Sequence, residues 1–155
     1  MKIKKGKEHI TFQQAVKQTS DVAAGFQTRL KALGKYHTKI QVTDGSLLNG
    51  SIDIDDCTKK KYPDENRWDY ALAYNETIYF VEIHSANTSE VSVVLKKHEW
   101  LKNWLNQHAP LINQLKKAKP AYYWIGSNNF NILRSSPQYR RIAQANLMPV
   151  SRLQL

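Results

Sequence analysis

Three side chains able to bind a metal or move a proton lie in two neighbouring runs of the chain. Asp69 sits in Asn66-Arg67-Trp68-Asp69-Tyr70, and Glu82 and His84 sit in Phe80-Val81-Glu82-Ile83-His84. Both runs read as strands, joined by a tight turn at Asn75-Glu76. Antiparallel pairing about that turn sets Tyr74 against Thr77 and Asp69 against Glu82, on one face of the sheet. A two- or a four-residue loop keeps this parity, whereas a three-residue loop would put the two acids on opposite faces. Directly opposed Cβ atoms are roughly 4.5–5.5 Å apart, and like charges there are destabilising. Two carboxylates so placed need a cation between them. A divalent metal is the first candidate, and magnesium suits one or two carboxylates with waters completing its shell. His84, two residues on, adds a group that titrates near neutral pH. The metal-free alternative is an ion pair with a basic neighbour, such as a diagonal Arg67–Glu82 bridge.

The elements around these residues must hold them in place. Trp68, Tyr70, Leu72 and Tyr74 share one face; Ala71, Ala73, Ile78 and Phe80 share the face of Asp69, Glu82 and His84. Apolar residues on both faces place the two strands centrally in a sheet that is covered on each side. Ahead of them, Thr11-Phe12-Gln13-Gln14 has the form of a capping box. The apolar spacing from Phe12 to Leu33 predicts one helix of about twenty residues ending at Gly34. Ile40 and Val42, then Ser51 to Asp55, read as strands, and Asp53 to Glu65 as a charged, solvated loop. Beyond the paired strands, Thr88 caps a long helix whose buried stripe includes Val91, Val94, Leu95, His98, Leu101, Leu105 and His108. His98 reads as a satisfied core histidine, and Lys96, Lys97 and Lys102 decorate the rest of that helix. Lys116 to Lys119 suit a helix C-terminus. Ala121 to Ile125 read as a buried strand, Phe130 to Leu133 as a brief one, and Ser136-Pro137 as the start of a last helix. Val150 to Leu155 form a final extended segment.

Nothing divides the 155 residues into two units, so residues 1–155 are expected to form one domain, with 1–10 a basic lead. A hydrophobic share of 41% belongs to a folded chain rather than a disordered one. The formal charge of +10 favours an anionic partner, with nucleic acid ahead of a membrane surface. The single Cys57 excludes an intrachain disulfide and a multi-cysteine zinc site. No run approaches the roughly 20 apolar residues of a membrane span, and a cytoplasmic location follows by default.

The order helix, strands, helix, strand, with Asp69 on one strand and Glu82-Ile83-His84 on the next, resembles the PD-(D/E)XK nuclease superfamily. The resemblance spans about residues 11 to 126. It implies an α/β (α+β) fold with a restriction-endonuclease-like α-β-β-β-α-β core, its central mixed sheet flanked by helices. It also implies catalytic Asp69, Glu82 and His84, with magnesium or manganese held by Asp69, Glu82 and the Ile83 backbone carbonyl. DNA or RNA is the implied partner, with Arg67, Lys96 and Lys97 as contacts; a homodimer is left open. The motif's lysine position holds His84, which could orient or deprotonate a water, and Lys96 or Lys97 on the next helix could replace the lysine in space. The alternative is a catalytically inactive module of the same fold that binds nucleic acid or a protein partner.

Overall fold

The Asn75-Glu76 turn closes as the sequence requires. Both residues have positive φ, 50° and 56°, the type I′ geometry whose twist matches that of the strands it joins. The Glu76 N–H donates to Asn49 Oδ1 at 2.6 Å, and Glu76 Oε2 accepts the Phe12 N–H at 3.0 Å. The turn thus anchors the start of α1, Phe12–Lys17, whose capping box between Thr11 and Gln14 is formed in both directions.

The computed structural model describes residues 9–127 and 129–155. The basic lead falls largely outside these residues, but Ile10 packs against the core. The chain forms a single small α/β domain. Its main sheet has four strands in the order β2, Leu48–Asp53; β3, Tyr70–Tyr74; β4, Thr77–His84; and β5, Lys117–Gly126. The first three pair antiparallel, and β5 runs parallel to β4. β3 and β4 are central and hold the expected register, Tyr70 opposite Val81 and Tyr74 opposite Thr77. A second, two-stranded parallel sheet joins β1, Ile40–Gln41, to β6, Leu153–Gln154.

Both faces of the main sheet are covered. Ala71, Ala73, Ile78, Phe80 and Trp124 pack in one core with Val91, Val94, Leu101 and Leu105 of α3, Val91–Gln107. Leu72, Val81, Ile83 and Ile125 meet Leu33, Ile40 and Leu153 on the other face. Trp68 belongs to the first core rather than sharing a face with Leu72, because it precedes β3 and is outside the strand's alternation. The outer edges are paired as well. Gln27 bridges Ser51 of β2, and Val150 bonds to both Trp124 and Gly126 of β5. Edge groups that would otherwise invite another strand are thereby satisfied.

Several elements differ from the sequence reading. The single first helix ends at Lys17, and short 3₁₀ turns at Ala23–Gly25 and Lys31–Lys39 take up the rest. Between them Phe26 turns extended so that Gln27 can pair with β2, and a helix could not supply that edge. Residues Ile54–Thr58 of the charged loop form α2, capped by Asp53. Thr88 does not cap α3: its hydroxyl donates to the Asn131 carbonyl and accepts the Leu133 N–H. The buried stripe of α3 includes Trp104, while His108 is exposed. Lys117 and Lys119 lie on β5 instead of closing a helix, whose last piece is α4, Pro110–Asn113. Pro120 is tolerated there because β5 is at the sheet edge. The 130–133 run forms only an isolated bridge at Asn131. Ser136 caps α5, Pro137–Gln144, as expected. No helix among the described residues is long and apolar enough to cross a membrane.

Gly50 has a φ of 141°, and a Cβ there would lie 2.5 Å from the Phe26 ring and 2.9 Å from the Gln27 carbonyl. Gly50→Ala is therefore expected to cost about 1–3 kcal/mol from backbone conformation alone, more with the clash. Urea denaturation monitored by tryptophan fluorescence measures it, and an unchanged midpoint would contradict this packing.

Candidate functional site

Asp69 precedes β3 by one residue, and its backbone is held on both sides. Its carbonyl accepts the Ile54 N–H at 2.8 Å, and its own N–H donates to Glu82 Oε1 at 3.1 Å. Its side chain answers across the same gap, Oδ2 accepting the Ile83 N–H at 3.0 Å. Each acid therefore has one oxygen committed to the other strand's backbone. The register expected from the turn places them together, on one face.

The remaining oxygens converge on a cation supplied by the chain itself. Lys97 Nζ lies 2.6 Å from Glu82 Oε2 and 3.5 Å from Asp69 Oδ1. Glu82 is fully buried, and the side chains of Lys97 and Asp69 are 16% and 19% exposed. Lys97 does not decorate the solvent face of α3. It follows Val94 by three residues and precedes Leu101 by four, both wholly buried, so its stem crosses the flank of the apolar stripe. That spacing was a signal in the sequence; which lysine it aimed at the acids was not.

His84 continues the array outward. Its Nε2 is 2.8 Å from Glu90 Oε2, and its Nδ1 is 3.5 Å from Glu82 Oε2. The Glu82 contact, resisted by burial and helped by Glu90, raises the imidazole pKa above its usual value. His84 is thus stabilised as a cation, a state that cannot accept a further proton. Glu90, at the start of α3, completes the set and was not singled out from sequence.

The two acids are unequal. Burial, and then the Glu82 charge, push Asp69 up to about 7, against the pull of Lys97 and the Ile83 N–H. Burial lowers the Lys97 pKa, but Glu82 and Asp69 outweigh it and the net shift is upward. The lysine remains an ammonium.

Arg67 does not reach Glu82. Its Nε bonds Asp55 Oδ1 at 2.8 Å, and its Nη1 donates to the Tyr62 and Pro63 carbonyls at 2.6 and 3.2 Å. It pins the loop after α2, so the Arg67–Glu82 bridge is absent. Lys97 is mostly buried, with its ammonium directed at the two carboxylates, while Lys96 is exposed. His98 is a core histidine, 8% exposed and against Tyr122 at a ring separation of 4.4 Å. Contrary to expectation its Nε2 has no hydrogen-bond partner, and burial pushes its pKa down to about 4.

Among the described residues, no three His, Cys, Asp or Glu side chains gather as a metal cluster. What is present is a pair of hard oxygens, Asp69 Oδ1 and Glu82 Oε2, directed at one cation position. Ile83 gives its N–H to Asp69. The N–H and C=O of a strand residue point to the same side, so its carbonyl faces that end of β3 too. These are hard oxygen donors of the kind magnesium takes in small number, and the position between them is held by Lys97 Nζ.

Lys97→Met strands the buried Glu82 carboxylate and should cost about 3–5 kcal/mol at neutral pH. A loss under 1 kcal/mol in denaturant titration would show the lysine to be dispensable. Asp69 binds its proton near 7 when folded and near 3.8 otherwise, so the folded state is the stronger proton binder between these values. Its contribution to stability is full on the acid side and declines as pH rises from about 4 to about 7. His84, also raised, acts in the same direction. Asp69→Asn should therefore flatten the dependence of the urea midpoint between pH 5 and pH 8, and an unaltered slope would refute the assignment.

Compared with known proteins, the chain matches no family model, no curated protein and no solved structure.

Proposed function

We propose that this protein is a metal-dependent nuclease of the PD-(D/E)XK type, acting on nucleic-acid phosphodiesters. The observation that carries the reading is Lys97 Nζ at 2.6 Å from Glu82 and 3.5 Å from Asp69. The expected motif has an acid on one strand, an acid on the next and a lysine two residues on. Here His84 takes the third position and the lysine comes from the following helix, meeting the same two carboxylates. The order α1, β2, α2, β3, β4, α3, α4, β5, which contains a helix, three strands, a helix and a strand in turn, supports the reading. The net charge of +10 favours a polyanion.

In this reading Asp69, Glu82 and the Ile83 carbonyl would hold the metal, in competition with Lys97 Nζ for the two carboxylates. Bound magnesium supplies Lewis acidity toward the phosphate and a more acidic water. The chain's own residues do the rest. The strand backbone holds Asp69 and Glu82 rigidly through Asp69 N–H and Ile83 N–H, so the acids need not reorganise. Lys97 and His84 bring positive charge to the place where a phosphate gains negative charge in its transition state. His84, beside two carboxylates, has its cationic form favoured, which weakens it as a base toward water.

One observation favours the second reading, a non-catalytic module of the same fold. Lys97 already contacts both carboxylates, so the pair has a cation without a metal. The two readings separate in a cleavage assay on plasmid and single-stranded DNA and on RNA. With millimolar magnesium or manganese, cleavage is expected, lost on adding EDTA. Asp69→Asn, Glu82→Gln and Lys97→Met should each reduce it at least about a hundredfold, the scale of a lost transition-state charge contact. Metal should also raise the melting temperature of the wild type but not of the first two variants. Nucleic-acid binding with no cleavage and no metal shift would select the module.

A further inference from the structure

Gly126 is the last residue of β5 and lies beside His84, the last residue of β4, just as Trp124 lies beside Glu82. Side chains alternate along a strand, so Gly126 presents its empty side to the face that carries Glu82 and His84. That space is taken by Phe130. A Cβ on Gly126 would come 2.6 Å from Phe130 Cε1 and 3.3 Å from the Ala86 Cβ. An aromatic ring therefore lies over the end of the sheet, next to the candidate site, and only a glycine beneath it permits this.

The ring is held there by its backbone. The Asn131 N–H donates to the Ala86 carbonyl at 2.8 Å, the Thr88 N–H to the Asn131 carbonyl at 3.2 Å, and the Ser127 N–H to the His84 carbonyl at 3.1 Å. Phe130 is nevertheless 48% exposed, and Leu133 beside it 65%. A half-exposed aromatic on a pinned backbone loses little entropy on binding, unlike one on a free loop. Glu90, bonded to His84, borders it on one side, while the chain that carries the ring is basic. After Glu99 the chain contains no aspartate or glutamate, although 8 of its 23 lysines and arginines fall there. Arg134 shares the turn with Leu133, Arg140 and Arg141 follow on α5, and all three are exposed.

We propose that Phe130 is a stacking platform for an unpaired nucleobase, with Arg134 meeting the adjoining phosphate, so that the site takes single-stranded nucleic acid. A paired base offers its face only to its stacked neighbours, whereas an unpaired one is free to lie on an aromatic ring, and such platforms are tolerant of sequence. The inference rests on the nucleic-acid reading of the site and names its substrate class.

The test measures binding with EDTA present, where no metal-dependent cleavage can intervene. Fluorescence anisotropy with a 12-nucleotide oligonucleotide should show the single strand bound about tenfold more tightly than its blunt duplex. Phe130→Leu, which keeps the apolar volume over Gly126, should weaken single-strand binding about tenfold, and Phe130→Trp should restore it. Wild type, but not Phe130→Leu, should quench 2-aminopurine placed in the oligonucleotide. Arg134→Gln should lower the salt dependence of binding by about one phosphate contact. Equal binding by wild type and Phe130→Leu would overturn the proposal, as would a preference for duplex. It would also fall if Phe130→Leu altered only the sedimentation of the protein, marking the ring as a self-association contact. Metal-dependent cleavage indifferent to Phe130 would sink the platform and leave the nuclease standing. Phe130-dependent stacking without cleavage would do the reverse.

Discussion

A fully buried glutamate is the constraint around which this domain is arranged. Glu82 faces a second acid across the central strand pair, and neither could remain there without compensation. The backbone supplies part of it, since each acid accepts an N–H from the opposite strand. Lys97 supplies the rest by reaching in from α3. This couples the packing of α3 to the charge state of the sheet. Displacing the helix would expose apolar surface and unpair two carboxylates together.

The same constraint explains why the array sits where the covered sheet ends. In the middle of β3 and β4 both faces are sealed by apolar side chains, and an ion pair there would gain no contact with solvent. At the end of β4 the chain leaves the sheet, α3 begins, and Phe130 lies over Gly126. A graded row results, from buried Glu82 through partly exposed Asp69 and Lys97 to His84 and Glu90. Its buried members fix geometry, and its outer members face whatever approaches.

Much of this was legible in the chain. The Asn75-Glu76 turn, with alternation on either side, was enough to set the register of β3 against β4 and so to bring Asp69 to Glu82. The Thr11–Gln14 capping box and the Ser136-Pro137 start were equally local, and both formed as read. The long first helix was not, because its apolar spacing suited a helix equally well. The edge of β2 needed Gln27 in an extended conformation, and pairing across the fold overrode local propensity. Lys116 to Lys119 failed similarly: the parallel partner of β4 had to begin at Lys117.

The sequence by itself therefore determined that two carboxylates would be opposed, because hairpin parity depends only on the turn and on an exact period of two. It left open what would neutralise them. Arg67 by strand register, Lys96 or Lys97 from the next helix, and a metal by chemistry were all open. Only the tertiary structure decided among the side chains, sending Arg67 to Asp55 and Lys97 to Glu82. The physical reason is that the direction of a helix side chain depends on how the helix lies on the sheet, and no spacing along the chain encodes that crossing. The same holds for Phe130. Its place over Gly126 follows from a loop pinned to Ala86 and Thr88, residues that become its neighbours only once β5 has paired with β4.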